Sequence, residues 1–240
     1  MCRSQSHNGE ARRCKQDPDK VSRRNDHRRN RHALVVAKKI IDEVLKTPNG
    51  ERWLGELKID LSHSLVAKAF AIAVKSHQGT DRINGEPYIN HPLRVAKRLQ
   101  DNGFNEEVII VAILHDAVED SELTLGDLRR FGFNERIVSG VDSVTKRSGE
   151  DYPDAVRRAS KHPIGRLVKL SDNLDNSSES QIEPLSPERQ ARAIAKYTPA
   201  RLLILNAIVN NPAEELYAES SGFHRTYKIR PQNIGSEIFA

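Results

Sequence analysis

The segment HDAVED concentrates side chains that bind metal ions and move protons: His115, Asp116, Glu119 and Asp120. Residues four apart lie on the same face of a helix. Glu119 therefore falls one turn after His115, and Asp120 falls one turn after Asp116. Three carboxylates crowded at one helix end repel one another unless a cation lies between them. Imidazole nitrogens and carboxylate oxygens are ligands for Mn, Fe, Zn or Ni. The segment therefore predicts a divalent-metal site, and the competing interpretation is a charged helix end that faces water.

Two more side chains of metal-ligand type lie far from this segment in the sequence. His91 precedes His115 by 24 residues, and Asp172 follows Asp116 by 56 residues. Asp172 comes after the largely apolar stretch 167–170, so it is placed, like His115, at the exit of a buried helix. The pattern predicts a site assembled from several helix ends.

Helices must position these side chains, because almost the whole pattern is helical. Apolar residues recur with helical spacing, and no stretch alternates with period two for long enough to form a convincing strand. The segment 106–118, with the centre VIIVAIL, is apolar on every side, which is typical of a helix buried in the middle of a bundle. The fold class is therefore predicted to be all-α. The spacing predicts helices over 33–46, 62–75, 92–100, 106–118, 124–130, 135–144, 152–160 and 164–174, and a long helix from Pro187 towards residue 207 that is kinked or broken near Pro199.

The positive charge of the chain is concentrated at its beginning. The 240 residues carry a formal charge of +5, but residues 1–32 hold ten Lys/Arg and four Asp/Glu, so they carry +6 and the rest of the chain carries −1. With few apolar residues, this segment cannot bury enough surface to offset its chain entropy, and we expect it to be disordered. The predicted organisation is a basic tail (1–32), a helical domain (33–210) and a C-terminal extension (211–240).

Hydropathy and cysteine usage indicate the compartment. No apolar run approaches the roughly 20 residues of a membrane-spanning helix, and the tail lacks the apolar core of a signal peptide. Both cysteines, Cys2 and Cys14, lie in the tail, which excludes a disulfide framework in the predicted helical domain. We therefore expect a cytoplasmic protein with no membrane partner. The Arg-rich tail could contact nucleic acid, although a solvated leader is the simpler interpretation.

Five ordered motifs resemble those of the HD superfamily of metal-dependent phosphohydrolases, whose ligand pattern is H…HD…D. More narrowly, the chain resembles the hydrolase domain of RelA/SpoT enzymes and the small stand-alone alarmone hydrolases, from about residue 62 to about residue 196. The resemblance implies an HD-type helical bundle of about eight to ten helices. The motifs are HQGTDRINGEPYINHP (77–92), ILHDAVED (113–120), TLGDLRRFG (124–132), GVDSVTK (140–146) and VKLSDNLDN (168–176).

The resemblance also implies roles for a metal and for the acidic pair. One divalent ion of the Mn²⁺ type would lower the pKa of a bound water and polarise a phosphoryl oxygen. In this family the acids after HD serve the attacking water, which implies that catalytic role for Glu119 and Asp120. The implied metal ligands are His91, His115, Asp116 and Asp172.

Substrate contacts are implied at two further positions. Arg82 matches a family arginine near the substrate, and its guanidinium fork can neutralise phosphate charge. Asn176 matches a substrate-contacting asparagine, one turn after Asp172. The implied activity is removal of pyrophosphate from the 3′ position of guanosine 3′,5′-bis(diphosphate), the stringent-response alarmone ppGpp.

Three departures from the family pattern bear on the substrate. Ile83 stands where alarmone hydrolases usually place a second basic residue, Asn173 replaces an arginine, and Glu179 replaces a small polar residue. Losing a cation and gaining an anion could cost a few kcal/mol, since hydrogen bonds to charged groups contribute about 1.5–3 kcal/mol each. Lys146 and Lys169 are candidates to compensate, and we expect Lys146 to bind substrate.

Two alternatives therefore stay open beside alarmone hydrolysis. The same catalytic site could act on another nucleotide or phosphorylated metabolite. In a different class, the chain could be a catalytically weak module whose helical domain senses a nucleotide while its basic tail contacts RNA or a protein.

Overall fold

The computed structural model describes residues 64–218, and nine α-helices and one short 3₁₀ helix account for most of these described residues. Within the same range, β-type pairing is limited to two isolated bridges, Asp81 with Pro87 and Phe104 with Tyr217. The predicted all-α fold class is therefore confirmed. The helices are α1 (Ser64–Ser76), α2 (Asn90–Asp101), α3 (Glu106–Leu114), α4 (Leu125–Arg130), α5 (Glu135–Val144), α6 (Tyr152–Lys161), α7 (Pro163–Asn176), α8 (Glu179–Ile182), α9 (Pro187–Asn210) and the 3₁₀ helix Glu214–Leu216.

Capping explains why helices begin where the sequence predicts. At the start of α4, the Thr124 hydroxyl accepts the Asp127 N–H over 3.1 Å, and the Asp127 carboxylate accepts the Thr124 N–H over 3.0 Å. Helix α9 begins at Pro187, as predicted for proline at a first helical position. It continues through Pro199 to its end, so the helix is not broken there.

Helix α3 forms the centre of the bundle. It contacts α1, α2, α5 and α7, and all seven residues from Val108 to Leu114 are buried, as the apolar centre of this segment predicts. Helix α5 approaches it closely at Gly140, where an added Cβ atom would lie 2.8 Å from Val111 Cγ2. A larger residue at Gly140 would therefore push α5 away from α3.

The prediction of a helix over 106–118 is wrong at its C-terminal end. Helix α3 ends at Leu114, and residues 115–119 form turns instead. At this end of the helix, His115 Nδ1 donates to the Ala112 carbonyl over 2.8 Å. If the helix continued, the Ala112 carbonyl would accept the backbone N–H of Asp116. The HD segment is therefore a tight turn that follows the central helix.

Residues after α9 pack back onto the helices. Leu216 is fully buried, and its carbonyl accepts the Asn105 N–H over 2.7 Å. Tyr217 stacks on Phe104 with ring centroids 4.7 Å apart. Residues 211–218 thus contact the helical domain, and the division of the chain at residue 210 stays a prediction.

Two parts of the predicted organisation, the basic tail 1–32 and the helix 33–46, lie outside the described residues. Residues 219–240 of the predicted extension lie outside them as well. Of the helices that are described, none is long and apolar enough to cross a membrane.

Candidate active site

Four side chains from three parts of the bundle meet at one point. His91 lies at the start of α2, His115 and Asp116 follow α3, and Asp172 lies in α7. His91 Nε2 is 3.2 Å from Asp172 Oδ1 and 3.6 Å from Asp116 Oδ2. His115 Nε2 is 3.1 Å from Asp116 Oδ2 and 3.9 Å from Asp172 Oδ1. The structure thus brings together all four side chains that are predicted to bind a metal.

His115 presents a nitrogen lone pair to the centre of this cluster. Because its Nδ1 donates to the Ala112 carbonyl, a neutral ring has its lone pair on Nε2. That Nε2 atom is buried, and no hydrogen-bond partner for it exists among residues 64–218. It faces the Asp116 carboxylate, so an acceptor faces an acceptor unless a proton or a cation lies between them. Ligand atoms of His91, His115 and Asp172 all lie within 4.8 Å of one another, which fits a divalent ion.

Asp175, which the sequence reasoning missed, orients His91. His91 Nδ1 donates to Asp175 Oδ2 over 2.7 Å, the arrangement that leaves Nε2 of a metal-binding histidine available. Arg94 Nε also donates to Asp175, over 2.8 Å to Oδ1. Burial raises the pKa of Asp175, but the hydrogen bonds from His91 and Arg94 outweigh it and hold the pKa well below its usual range. Its position three residues after Asp172 on the same helix was the available signal.

The charges of the cluster also favour a cation. Burial lowers the pKa of His115, but the Asp116 and Asp172 carboxylates outweigh burial and raise the pKa to about 9. Burial raises the pKa of Asp172, yet the Lys169 ammonium, 2.8 Å from its Oδ2, and the imidazoles hold that pKa well below its usual range. A bound divalent ion would take the place of the His115 proton. The residues present therefore fit a metal.

The predicted catalytic acids lie in the turn that carries the HD pair. The Asp120 side chain is 38% exposed, and burial together with the Asp116 and Glu119 carboxylates raises its pKa to about 6. A carboxyl group with such a pKa can exchange a proton near neutral pH. Glu119 Oε2 accepts the Lys146 backbone N–H over 3.1 Å, which holds that acid against the loop 145–151.

Lys146 and Arg82 line different depressions of the surface. Lys146 is exposed, and it borders a shallow depression that Glu119 and the loop 145–151 also line. Arg158 braces this loop, since its Nη2 donates to the Thr145 carbonyl over 2.7 Å. Substrate binding by Lys146 stays a prediction.

A cleft of about 250 Å³ adjoins the cluster, and Arg82 and Asn176 both line it. Arg82 Nη2 donates to Asn176 Oδ1 over 2.7 Å. Asn176 Nδ2 in turn donates to Asp172 Oδ1, the oxygen that faces the two histidines. The two side chains expected to contact substrate are therefore linked directly to a predicted metal ligand.

Helix α9 supplies a wall of the cleft that the sequence reasoning missed. Arg192, Lys196 and Tyr197 of this helix all line the cleft. Lys196 Nζ lies over two aromatic rings, 4.4 Å from the Tyr152 centroid and 4.9 Å from the Tyr197 centroid. Burial lowers the pKa of Lys196. No motif marks these positions, which share one face of a long helix.

Only one of the three departures from the family pattern lies on the cleft. Ile83 lines it and is 81% exposed. Asn173 is fully buried, where it donates to the Tyr197 carbonyl over 3.0 Å and accepts from Arg201 Nε over 3.1 Å. Glu179 is exposed at the start of α8 and is not part of the cleft lining. The change at position 83 therefore bears most directly on the substrate.

Comparisons with known proteins found a matching family model and several similar proteins. A family model described as HD domain matches residues 69–198. A guanosine-3′,5′-bis(diphosphate) 3′-pyrophosphohydrolase of Aquifex aeolicus is 38% identical over 120 residues, which are 46% of this chain and 17% of that protein. A probable enzyme of the same name from Synechocystis is 34% identical over 169 residues, 66% of this chain and 22% of the relative. A probable GTP pyrophosphokinase of Mycobacterium leprae is 34% identical over 138 residues, 54% of this chain and 17% of the relative.

This chain spans about a fifth of the length of these curated relatives (17–22%). A solved structure reported as "A metazoan ortholog of SpoT hydrolyzes ppGpp and plays a role in starvation responses" aligns with a TM-score of 0.46 and 20% identity. The alignment covers 61% of this chain and 94% of that chain.

Proposed function

Because this chain belongs to the HD domain family, we propose that it is a metal-dependent phosphohydrolase that removes the 3′-pyrophosphate group of guanosine 3′,5′-bis(diphosphate). The observation that carries the proposal is the convergence of His91, His115 and two carboxylates on one point. Relatives whose names give this activity support the substrate, since they match 46% and 66% of the chain.

Mn²⁺ is the ion that we propose for the cluster of His91, His115, Asp116 and Asp172. Such an ion, when bound, lowers the pKa of a water and polarises a phosphoryl oxygen. The reaction adds water across the bond between the 3′ oxygen and phosphorus. The water oxygen joins the departing pyrophosphate, and the 3′ oxygen leaves with a proton as the free hydroxyl of GDP.

The side chains around the cluster take the remaining roles. Asp120 accepts the proton of the attacking water, because a carboxylate with a pKa of about 6 is a competent base near neutral pH. Glu119, its neighbour in the same turn, orients that water. Arg82 neutralises phosphate charge with its guanidinium fork, and Asn176 connects Arg82 to the cluster.

Product analysis tests this proposal. The purified full chain, with MnCl₂ and ppGpp, should yield GDP and pyrophosphate in equal amounts on an ion-exchange column. Asp116→Asn preserves the size of the side chain but removes its charge, so it should abolish turnover. No turnover by the wild type, release of orthophosphate in place of pyrophosphate, or equal turnover by Asp116→Asn would contradict the proposal.

Ile83 favours a second candidate function, hydrolysis of a nucleotide or phosphorylated metabolite with less negative charge. Its exposed apolar side chain stands on the cleft where a second cation would neutralise phosphate. Phosphate and pyrophosphate release should therefore be screened over nucleotides that carry one to four phosphates. If ppGpp is the substrate, Ile83→Lys should raise its kcat/KM by about tenfold, the equivalent of one charged hydrogen bond of about 1.5 kcal/mol. Turnover of only the less charged compounds would replace the first candidate with the second.

We also propose that the chain acts in the cytoplasm, which the confinement of both cysteines to residues 1–32 supports. Nucleotide binding without turnover of any compound in the screen would instead support the sensing module.

A further inference from the structure

His77 is a buried side chain to which the proposed mechanism gives no role. It directly follows α1, and its side chain has no exposed surface. Within the described part of the chain, neither ring nitrogen has a hydrogen-bond partner. Buried polar atoms without partners are uncommon in folded proteins because each one forfeits its hydrogen bonds to water. The position of His77 therefore calls for a physical reason.

The neighbours of His77 connect it to a predicted metal ligand, Asp116, and to a predicted catalytic acid, Asp120. Its ring packs against Tyr88 with centroids 4.8 Å apart, and the Tyr88 hydroxyl donates to Asp116 Oδ2 over 2.8 Å. On its other side, His77 Nδ1 lies 3.7 Å from Asp120 Oδ2. Among the described residues, Asp120 is thus the carboxylate within 4 Å of a His77 ring nitrogen that lacks a hydrogen-bond partner.

We propose that His77 is a positioning residue for Asp120, whose carboxylate accepts the His77 Nδ1–H and is thereby oriented towards the attacking water. The inference rests on the proposed function, because it concerns the proton transfer assigned there to Asp120. A movement of about 0.5–1 Å would bring the two atoms to the usual hydrogen-bond distance. Ser76 and Ser121, which neighbour His77 and Asp120, already join the two segments through hydroxyls 3.3 Å apart.

The chemistry of the pair suits this role. Burial lowers the pKa of His77 to about 4, so the ring is neutral near pH 7 and has one N–H to donate. Asp120 is 38% exposed, and a partner for one carboxylate oxygen would stop its rotation while the other oxygen faces the water. A catalytic base that a third group orients is a recurring arrangement in enzymes.

A double-mutant cycle between His77 and Asp120 tests the proposal. His77→Phe keeps a ring against Tyr88 but removes both nitrogens, and it should lower kcat about tenfold or more with KM unchanged. Asp120→Asn should lower kcat about 100-fold or more. Adding His77→Phe to Asp120→Asn should have no further effect, because the base that His77 orients is already lost. His77→Asn, which retains an N–H donor near the Nδ1 position, should recover part of the lost kcat.

Several kinetic results would overturn the proposal. They are full kcat in His77→Phe, an effect on KM alone, a His77→Asn variant no better than His77→Phe, and an equal further loss when His77→Phe is added to Asp120→Asn. The last result would show that the ring acts through packing alone.

Nitrogen-15 NMR of the metal-free full chain gives a readout that requires neither turnover nor a folded His77→Phe variant. The His77 ring, assigned by its missing signals in His77→Asn, should carry its proton on Nδ1, and Asp120→Ala should remove that preference. A proton on Nε2 in the wild type would overturn the positioning role even if hydrolysis were confirmed. A proton on Nδ1 in a protein without turnover would contradict the proposed function and support the His77–Asp120 contact.

Discussion

The metal-binding cluster and the cleft beside it differ in how firmly the fold holds their side chains. In the cluster, the Nδ1 atoms of His91 and His115 are both engaged, one by Asp175 and the other by a backbone carbonyl, and Lys169 supports Asp172. In the cleft, Arg82 is held by hydrogen bonds to Asn176 and Asp175, but Ile83 is 81% exposed. Under the proposed function, we expect the chemistry of the reaction to depend on the packed helix ends and the choice of substrate to depend on the accessible side chains of the cleft.

This difference separates two kinds of kinetic effect. A change in the cluster should reduce kcat or metal affinity, because it removes either a ligand or a hydrogen bond that orients one. A change at an exposed cleft residue such as Ile83 should alter mainly KM and the preference among substrates, because it alters binding and leaves the reacting groups in place.

The largest effect is expected for Asp172→Asn. This change removes the charge that faces His91 and His115, so kcat should fall about 1000-fold or more, since metal stabilisation of the transition state is worth several kcal/mol. Steady-state kinetics measures the effect. Asp154→Asn, at an exposed acid of α6, is the matched control and should keep wild-type kcat. A loss of less than tenfold in Asp172→Asn would place the metal elsewhere.

A smaller effect, on metal affinity, is expected for Asp175→Asn. The amide is a weaker acceptor for His91 Nδ1, so Mn²⁺ affinity should fall by about 10–100-fold. Isothermal titration with MnCl₂ measures this change. Asp101→Asn, at the exposed end of α2, serves as the control. Unchanged Mn²⁺ affinity in Asp175→Asn would show that the cluster does not need this support.

A change at Arg82 probes the cleft itself. Arg82→Gln removes one charged hydrogen bond to phosphate, so kcat/KM for ppGpp should fall about tenfold or more, mainly through KM. Arg157→Gln, at an exposed position of α6, controls for loss of a positive charge. If Arg82→Gln weakened Mn²⁺ binding as much as Asp175→Asn does, this result would contradict the expectation that the cluster controls metal affinity and the cleft controls substrate binding.

The smallest effect concerns the loop 145–151, which holds Glu119. Hydrogen bonds from Arg158 lower the pKa of Glu150 from 4.5 to about 2 in the folded chain. A group whose pKa falls on folding stabilises the native state above its unfolded pKa, so this contribution is present above about pH 4.5 and is lost as the pH falls towards 2. Glu150→Gln should therefore lower Tm by about 2 °C at pH 7. The difference from wild type, followed by circular dichroism, should shrink below pH 4.5, and a constant difference would contradict the assignment.

The sequence predicts the helices well where local signals decide them. Helix α5 begins and ends at the predicted residues 135 and 144, because Asn134 caps it and its apolar residues recur with helical spacing. The end of α3 at Leu114 escaped prediction, since the apolar residues continue to Val118 and periodicity does not encode a contact such as that of the His115 side chain with a backbone carbonyl. The ordered motifs also pointed to four side chains that lie close together in the structure, and their role as metal ligands stays a prediction.

Features that depend on tertiary contacts escaped prediction. Lys196 reaches the cleft only because α9 packs against α7, and nothing local to its sequence marks that position. Asn173 falls within a motif, yet it is buried and pairs with Arg201, 28 residues away. A motif position therefore need not face the substrate, and only the packing of the helices decides which ones do.

The central claim is that one ion in the cluster supports hydrolysis of ppGpp, and the cluster consists of His91, His115, Asp116 and Asp172. Measuring Mn²⁺ occupancy and turnover on the same sample tests this claim most directly. Protein stripped with a chelator is titrated with MnCl₂ while bound ion is followed by electron paramagnetic resonance and pyrophosphate release is assayed. We predict saturation at one ion per chain, with a rate that rises in proportion to occupancy, and loss of both in Asp172→Ala. Pyrophosphate release by the stripped protein, or unchanged Mn²⁺ binding by Asp172→Ala, would contradict this claim.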